Sequence, residues 1–367
     1  MLKMEANFCR EAAMHDFSQS PFLVIWEVTQ ACDLACRHCR ASAVPERDPM
    51  ELTTIEGFQL LKEVCRFGTP LMVFTGGDPL KRPDLFDLLE ESVELGLRTT
   101  VTPSATPLLT TAAVEEFQRK GVSRMAISLD GPDSASHDQF RGVEGSFRRS
   151  LEALAMARRI GLETQVNTTV TRHNLDRLEA IASLVEQAGS KLWGVFFLVP
   201  TGRALQSDDL TAEEYERVFE FLYCLSLRKP FDIKTTEAQH YRRFVARRKK
   251  EEGGSQPFPE AAPSLIQRQA GINDGKGFVF ISHTGEIFPS GFLPLAAGNV
   301  RKDSLVEIYR QSPLFLELRD ANHLEGKCGE CEYRRLCGGS RSRAYALTGN
   351  CFAEDPRCIY EPASTQK

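Results

Sequence analysis

The sequence predicts an α/β fold: a partial (β/α)6 TIM-like barrel followed by a small C-terminal α+β domain. Three observations carry this. Six short apolar runs alternate with amphipathic stretches from Phe22 to about Leu225. The helical stretches repeatedly end in Gly, and after residue 230 the composition turns charged, then rich in Gly, Pro and Ser. Alternating strands and helices imply a parallel sheet with crossover helices, whose site lies at the C-terminal ends of the strands. A closed barrel needs eight units, so six imply an open or partial one.

The strands are expected at Phe22–Val28, Leu71–Thr75, Arg98–Thr102, Arg124–Leu129, Thr164–Val170 and Leu192–Val199. Each is short, β-branched or aromatic, and bounded by Gly, Pro or Asp. Between them, "TTIEGFQLLKEVCRFG" opens with Thr53 as a helix cap and "RPDLFDLLEESVELG" ends at Gly96. "SFRRSLEALAMARRIG" and "NLDRLEAIASLVEQAG" repeat the design. "RRFVARRKKEEGGSQPFPEAAPS" reads as a helix end running into a linker. Its basic run is either a solvated face or a patch for an acidic partner, and the Glu pair behind it favours the former. "GKGFVFISHTGEIFPSG" is a hairpin signal, followed by the helical pattern "SLVEIYRQSPLFLELRD". The expected divisions are an N-terminal extension over 1–20, the barrel over 21–229, a linker over 230–275 and the C-terminal domain over 276–367.

Apolar residues make up 42% of the 367 and charged residues 26%, ordinary values for a globular protein. A net charge of −5 leaves no basic footprint for nucleic acid. No apolar run is long enough for a membrane span, and the N-terminus lacks the apolar segment of a secretory signal, so a cytoplasmic location is expected. Eleven cysteines are many for a reducing compartment, where metal ligands or reactive thiols outnumber disulfides.

Eight of the eleven fall in two groups. Cys32, Cys36 and Cys39 form C-x3-C-x2-C just past the first expected strand. Three thiolates can wrap one face of an iron–sulfur cubane and leave one iron without a protein ligand. The competing reading is a zinc site, with His38 as a cramped fourth ligand. The second group holds Cys328, Cys331, Cys337, Cys351 and Cys358, with C-x2-C-x5-C-x20-C running through all but Cys351. Structural zinc and an iron–sulfur cluster both suit that spacing, and Cys351 could replace Cys358, sit free or touch substrate. Cys65 and Cys224 read as small buried apolar residues.

"CDLACRHC" resembles the signature of the radical S-adenosylmethionine (SAM) superfamily. The resemblance implies a [4Fe-4S] cluster on Cys32, Cys36 and Cys39 that binds SAM at its open iron and cleaves it reductively to a 5′-deoxyadenosyl radical, which takes a hydrogen atom from the substrate. "TGGDP" resembles the family's G-G-E-P motif, with Asp78 for Glu, and implies that Gly76, Gly77 and Asp78 meet the SAM amino group. "SLDGP" and "HDQFRG" imply Ser128 and Arg141 at the SAM carboxylate and Asn167 at the ribose, against a plain ion pair of Arg141 with Asp138. "VPTGR" and the backbone of His38 would lie near the adenine. The C-terminal segment resembles the SPASM auxiliary-cluster extension, or its shorter twitch form. It implies a second [4Fe-4S] cluster on Cys328, Cys331, Cys337 and Cys358, whereas Ser290 and Ser340, standing where fuller relatives carry cysteine, argue against a third.

The resemblance extends to enzymes that modify tetrapyrrole side chains in haem and modified-haem synthesis. It implies a radical SAM oxidoreductase or lyase acting on a porphyrin-like ring, with loss of carbon dioxide or of a side chain. Arg203, Arg341 and Arg343 would anchor ring carboxylates or be merely solvated. An electron donor such as flavodoxin or ferredoxin is implied. The alternatives are a SPASM-type peptide or protein maturase and, from another class, a non-catalytic zinc or iron–sulfur protein.

Overall fold

The structure is a computed structural model that describes residues 16–253 and 271–363. A ten-stranded sheet organises it, in the order β10-β9-β8-β1-β2-β3-β4-β5-β6-β7. The first six strands follow the expected runs: β1 (Leu23–Glu27), β2 (Leu71–Thr75), β3 (Arg98–Val101), β4 (Arg124–Ser128), β5 (Thr164–Val170) and β6 (Leu192–Phe197). Their crossover helices are α1 (Thr54–Cys65), α2 (Leu85–Glu94), α3 (Thr111–Arg119), α4 (Ser134–Arg141), α5 (Ser146–Ile160) and α6 (Leu178–Ala188). Thr53 closes a capping box with Glu56 at the start of α1. Gly142, Gly161 and Gly189 end α4, α5 and α6 in left-handed conformation.

The expected linker over 230–275 departs from that reading. After α7 (Ala212–Ser226) it supplies β7 (Asp232–Thr236), parallel to β6, and α8 (His240–Glu251). The sequence hid β7 because "DIKTT" carries only one large apolar residue, as an edge strand lining a polar lumen can. The basic run lies on α8; residues 254–270 are outside the described part, as are 1–15 and Cys9.

The hairpin β8 (Phe278–Ile281) and β9 (Glu286–Phe288) also differs from a detached opening. β8 pairs in parallel with β1, placing Phe278 opposite Leu23, and β9 continues to β10 (Gly298–Asn299). Eight parallel strands thus run from β8 to β7, with β7 unpaired on its outer side among the described residues, so the barrel stays open there. Helices Leu305–Gln311 and Pro313–Arg319 follow, and Ser304 Oγ donates to Glu63 Oε2 on α1.

Burial alternates along β5, where Thr164, Val166, Thr168 and Val170 are buried and the residues between them only partly so. The buried face packs on the helices with Trp26, Phe74 and Trp193. The other face lines an open lumen rather than a filled core. No helix among the described residues is long and apolar enough to cross a membrane.

Candidate active site

The first cysteine group sits on the loop after β1, and three other segments grip that loop backbone to backbone. From the loop after β2, Gly77 N and Asp78 N donate to Thr29 O and Ala31 O at 2.8 and 2.7 Å. A Cβ on Gly77 would lie 2.4 Å from Ala31 O, so only glycine allows this approach. From the end of α4, Phe140 O and Arg141 O accept from Arg37 N and Ala35 N, each at 3.1 Å. From the loop after β6, Arg203 N donates to Cys39 O at 3.0 Å, and a Cβ on Gly202 would meet Cys39 O and Arg40 O at 2.3 Å.

Beside the three sulfurs opens a cavity of about 980 Å³ including its mouth. Gly76, Gly77, Ser128, Arg141 and Asn167 all line it, and so do Thr102 and Ser104, which no motif marked. Phe196, Leu198, Val199 and Phe292 form an apolar wall.

Asp78 does not share this wall. Its buried carboxyl accepts from Thr106 Oγ1 at 2.6 Å, Leu80 N at 3.2 Å and Ser104 N at 3.3 Å. It therefore ties loops together instead of facing a ligand, and burial pushes its pKa up.

Arg141 pairs with neither solvent nor Asp138. Its Nε donates to Asp130 Oδ2 at 2.7 Å, and Nη1 lies 3.5 Å from Cys36 Sγ. Asp138 instead caps α5, accepting from Gly145 N and Phe147 N at 2.6 and 2.7 Å. Burial alone would raise the Asp130 carboxyl, but Arg141, His38 and His137 beside it hold it below the ordinary range. His38 stacks on Phe140 at 4.4 Å, and burial pushes its ring down to about 4, so it is neutral.

The expected carboxylate anchors are committed elsewhere. Arg203 donates through Nε to Cys36 O at 2.9 Å and through Nη1 to Ala43 O at 2.8 Å, stapling the cysteine loop. Arg341 and Arg343 are buried and do not line this cavity. Arg341 Nη1 binds the carbonyls of Cys351 and Ala353, and Arg343 pairs with Asp355 at 3.1 Å.

Cys328, Cys331, Cys337 and Cys358 together line a second cavity of about 420 Å³. Cys351 does not; it packs with Leu293 and Leu318. Ser290 and Ser340 belong to a buried serine–carboxylate network: Ser340 Oγ donates to Glu237 Oε2, and Ser342 Oγ donates to Asp274 Oδ2 while lying 3.5 Å from Ser290 Oγ.

A pattern that the sequence did not announce links the two groups. Cys32, Cys331 and Cys337 each accept, at 3.3 to 3.4 Å, from the backbone N–H two residues on, at Leu34, Tyr333 and Gly339. Ala43 N serves Cys39 and Asp355 N serves Cys328, both at 3.4 Å. Donors aimed at sulfur stabilise thiolate ligands and tune a metal centre. Among the described residues no three Cys, His, Asp or Glu side chains converge on the position of a single ion. Zinc holds sulfur at about 2.3 Å; thiols spread around a cavity suit a larger, multi-iron group.

An open parallel barrel with a thiol triad at its mouth is the architecture of an enzyme, with its reaction centre at the strand ends. The sequence model of the radical SAM superfamily matches residues 26–185. The chain is 43% identical over 351 residues to the "AdoMet-dependent heme synthase" of Nitratidesulfovibrio vulgaris, covering 95% of each. It is 38% identical to the protein of the same name from Methanosarcina barkeri, covering 94% of this chain and 98% of that one. In fold it resembles Streptococcus suis SuiB bound to S-adenosylmethionine, with a TM-score of 0.72 at 16% identity over 93% of this chain and 78% of that one. The chain belongs to the radical SAM superfamily, and it is an enzyme that works with SAM and a [4Fe-4S] cluster.

Proposed function

We propose that this enzyme modifies a carboxylated side chain of a tetrapyrrole in haem-type biosynthesis, with loss of carbon dioxide or of the side chain. The similarity to haem synthases over 95% of both chains carries this reading. Phe196, Leu198, Val199 and Phe292, which line the same cavity as the cysteines, support it, because a flat macrocycle needs apolar surface beside the reacting centre.

In this reading Cys32, Cys36 and Cys39 hold the catalytic cluster, and Cys328, Cys331, Cys337 and Cys358 hold an auxiliary [4Fe-4S] cluster. When bound, the first cluster with SAM supplies the one-electron chemistry that generates a hydrogen-abstracting radical. The chain's own residues position and protect. Gly76 and Gly77 offer an uncluttered backbone, and Ser128, Arg141 and Asn167 line the wall where SAM's polar groups would rest. Arg141 supplies the positive charge, with Asp130 holding its guanidinium in place. Asp78 acts one layer back, by fixing the loop. The neutral His38, stacked on Phe140, lines the cavity without exchanging protons. A one-electron donor such as flavodoxin or ferredoxin would feed the site. None of the ten described cysteines is in a disulfide, which fits a reducing cytoplasm.

The test is anaerobic reconstitution followed by reaction with SAM, reductant and a propionate-bearing iron porphyrin. Stoichiometric 5′-deoxyadenosine together with a decarboxylated porphyrin is expected. SAM cleavage with the porphyrin unchanged, but with a peptide substrate modified, would replace this reading by peptide maturation.

A further inference from the structure

Arg341 and Arg343 are held by the chain itself, and Arg203 staples the cysteine loop without lining the cavity, its one partnerless nitrogen being buried; the inner face of the sheet offers a carboxylated substrate another anchor. Residues paired in register on parallel strands point to the same face. Ser128 pairs with Asn167, Asn167 with Gly194, and Gly194 with Lys234. The first two line the cavity beside the cysteines. Lys234 on β7 therefore points into the same lumen, in the same row. Gly194 has no side chain to interrupt the row, and a Cβ there would lie 2.6 Å from Asn167 Oδ1.

Lys234 projects into a distinct cavity of about 530 Å³ at the open edge of the barrel, shared with Thr236, Gln239, Arg242, Asn273 and Phe278. No hydrogen bond or ion pair reaches its ammonium among the described residues. The charges around it are positive: burial, Arg242 and Arg124 together push it down to about 8, which leaves it mostly protonated at neutral pH. Arg242 Nη1 meets only carbonyls, Ile272 O at 2.7 Å and Leu336 O at 3.4 Å, so its charge is not neutralised. Glu237 and Asp274 also reach this cavity, but burial pushes both carboxyls up, with repulsion from Asp274 adding to it at Glu237, so they hold protons more readily than an ordinary carboxylate. Two further polar atoms there lack partners, Gln239 Oε1 and Thr236 Oγ1. Two half-buried cations with no carboxylate hydrogen-bonded to either among the described residues are costly to hold together unless a ligand supplies the anion.

We propose that Lys234, backed by Arg242, binds a carboxylate of the substrate and so fixes which edge of the ring faces the cysteine loop. Phe278, which lines the same cavity, would cover the adjoining apolar ring edge. This assignment rests on the tetrapyrrole reading for the identity of the ligand, but the anion site itself does not.

The test compares the holoenzyme with its Lys234→Met and Lys234→Arg variants. Binding of a propionate-bearing iron porphyrin and of its methyl ester is followed by the porphyrin absorbance. Loss of a charge-assisted contact should weaken the acid form about tenfold or more in Lys234→Met. The ester should bind parent and variant alike, and Lys234→Arg should restore most of the difference. Equal binding of the acid form by parent and Lys234→Met would overturn the proposal. A second measurement needs no variant: lysine acylation of the parent holoenzyme, read by mass spectrometry. Glutarate and the acid porphyrin should protect Lys234, and the ester should not. Protection by glutarate without porphyrin binding would keep the anion site and reject the tetrapyrrole reading. Porphyrin binding that leaves Lys234 equally labelled would reject the site and keep the reading.

Discussion

Arg203 shows how a motif residue can be placed rightly and its task misjudged. Its position in "VPTGR" put it near the site, but its hydrogens go to Cys36 O and Ala43 O. The sequence carries no record of whether a guanidinium meets a ligand or a carbonyl; only the approach of two loops decides. Arg203→Met should loosen the cysteine loop by roughly 3 to 6 kcal/mol, two charge-assisted bonds' worth. The expected result is fewer irons bound at the first site after reconstitution, with the second site unchanged, measured by iron counting and spin resonance. Asp78 teaches the same lesson, since its neighbours Thr106 and Ser104 lie on a loop that no motif marked. Gly77→Ala should be harsher than either: a methyl group 2.4 Å from Ala31 O must separate the two loops, and the first cluster should fail to assemble.

Among the elements, those with strong local signals matched the sequence closely. β2 and β5 keep their expected limits, and Thr53 starts α1 as its capping box requires. Thr53→Ala should cost about 1 kcal/mol of stability by removing that cap, measurable as a lower denaturation midpoint without change in SAM cleavage. What escaped were elements whose stability comes from partners. β7 is too polar to announce itself, because Lys234 and Thr236 face the lumen. β8 reads as half of a hairpin, and nothing local in "FVFI" says that its other side will pair with β1. The N–H donors that serve the sulfurs were equally silent, being backbone groups available at any residue.

For the whole molecule, buried neutral histidines set an acid limit. Burial pushes His38 and His137 down to about 4 and His240 to about 3, against 6.5 unfolded. Between about 4 and 6.5 the unfolded chain binds protons that the fold does not, so stability is complete above that window and falls as pH drops through it. The loss is about 1.4 kcal/mol per pH unit for each group. His283 works in the opposite sense: burial lowers it, but Glu27 wins and raises it, so its contribution holds below 6.5 and is lost above its own raised value. Unfolding followed from pH 7 to 5 should show the decline, and His240→Phe, at a ring with no hydrogen-bond partner, should reduce it.

The same scale governs separability. A chain ending at residue 253 would keep every cysteine of the first group, yet it would lay bare the outer edge of β1 that β8 covers. Such an edge recruits other chains, so the truncated protein should aggregate, as size-exclusion chromatography would reveal.

The pairing of β8 with β1 also imposes a timetable. Leu23 leaves the ribosome early and Phe278 late, so the strand that precedes the catalytic loop stays half-partnered through most of translation. Iron delivered to a nascent chain would meet a loop whose footing is unfinished.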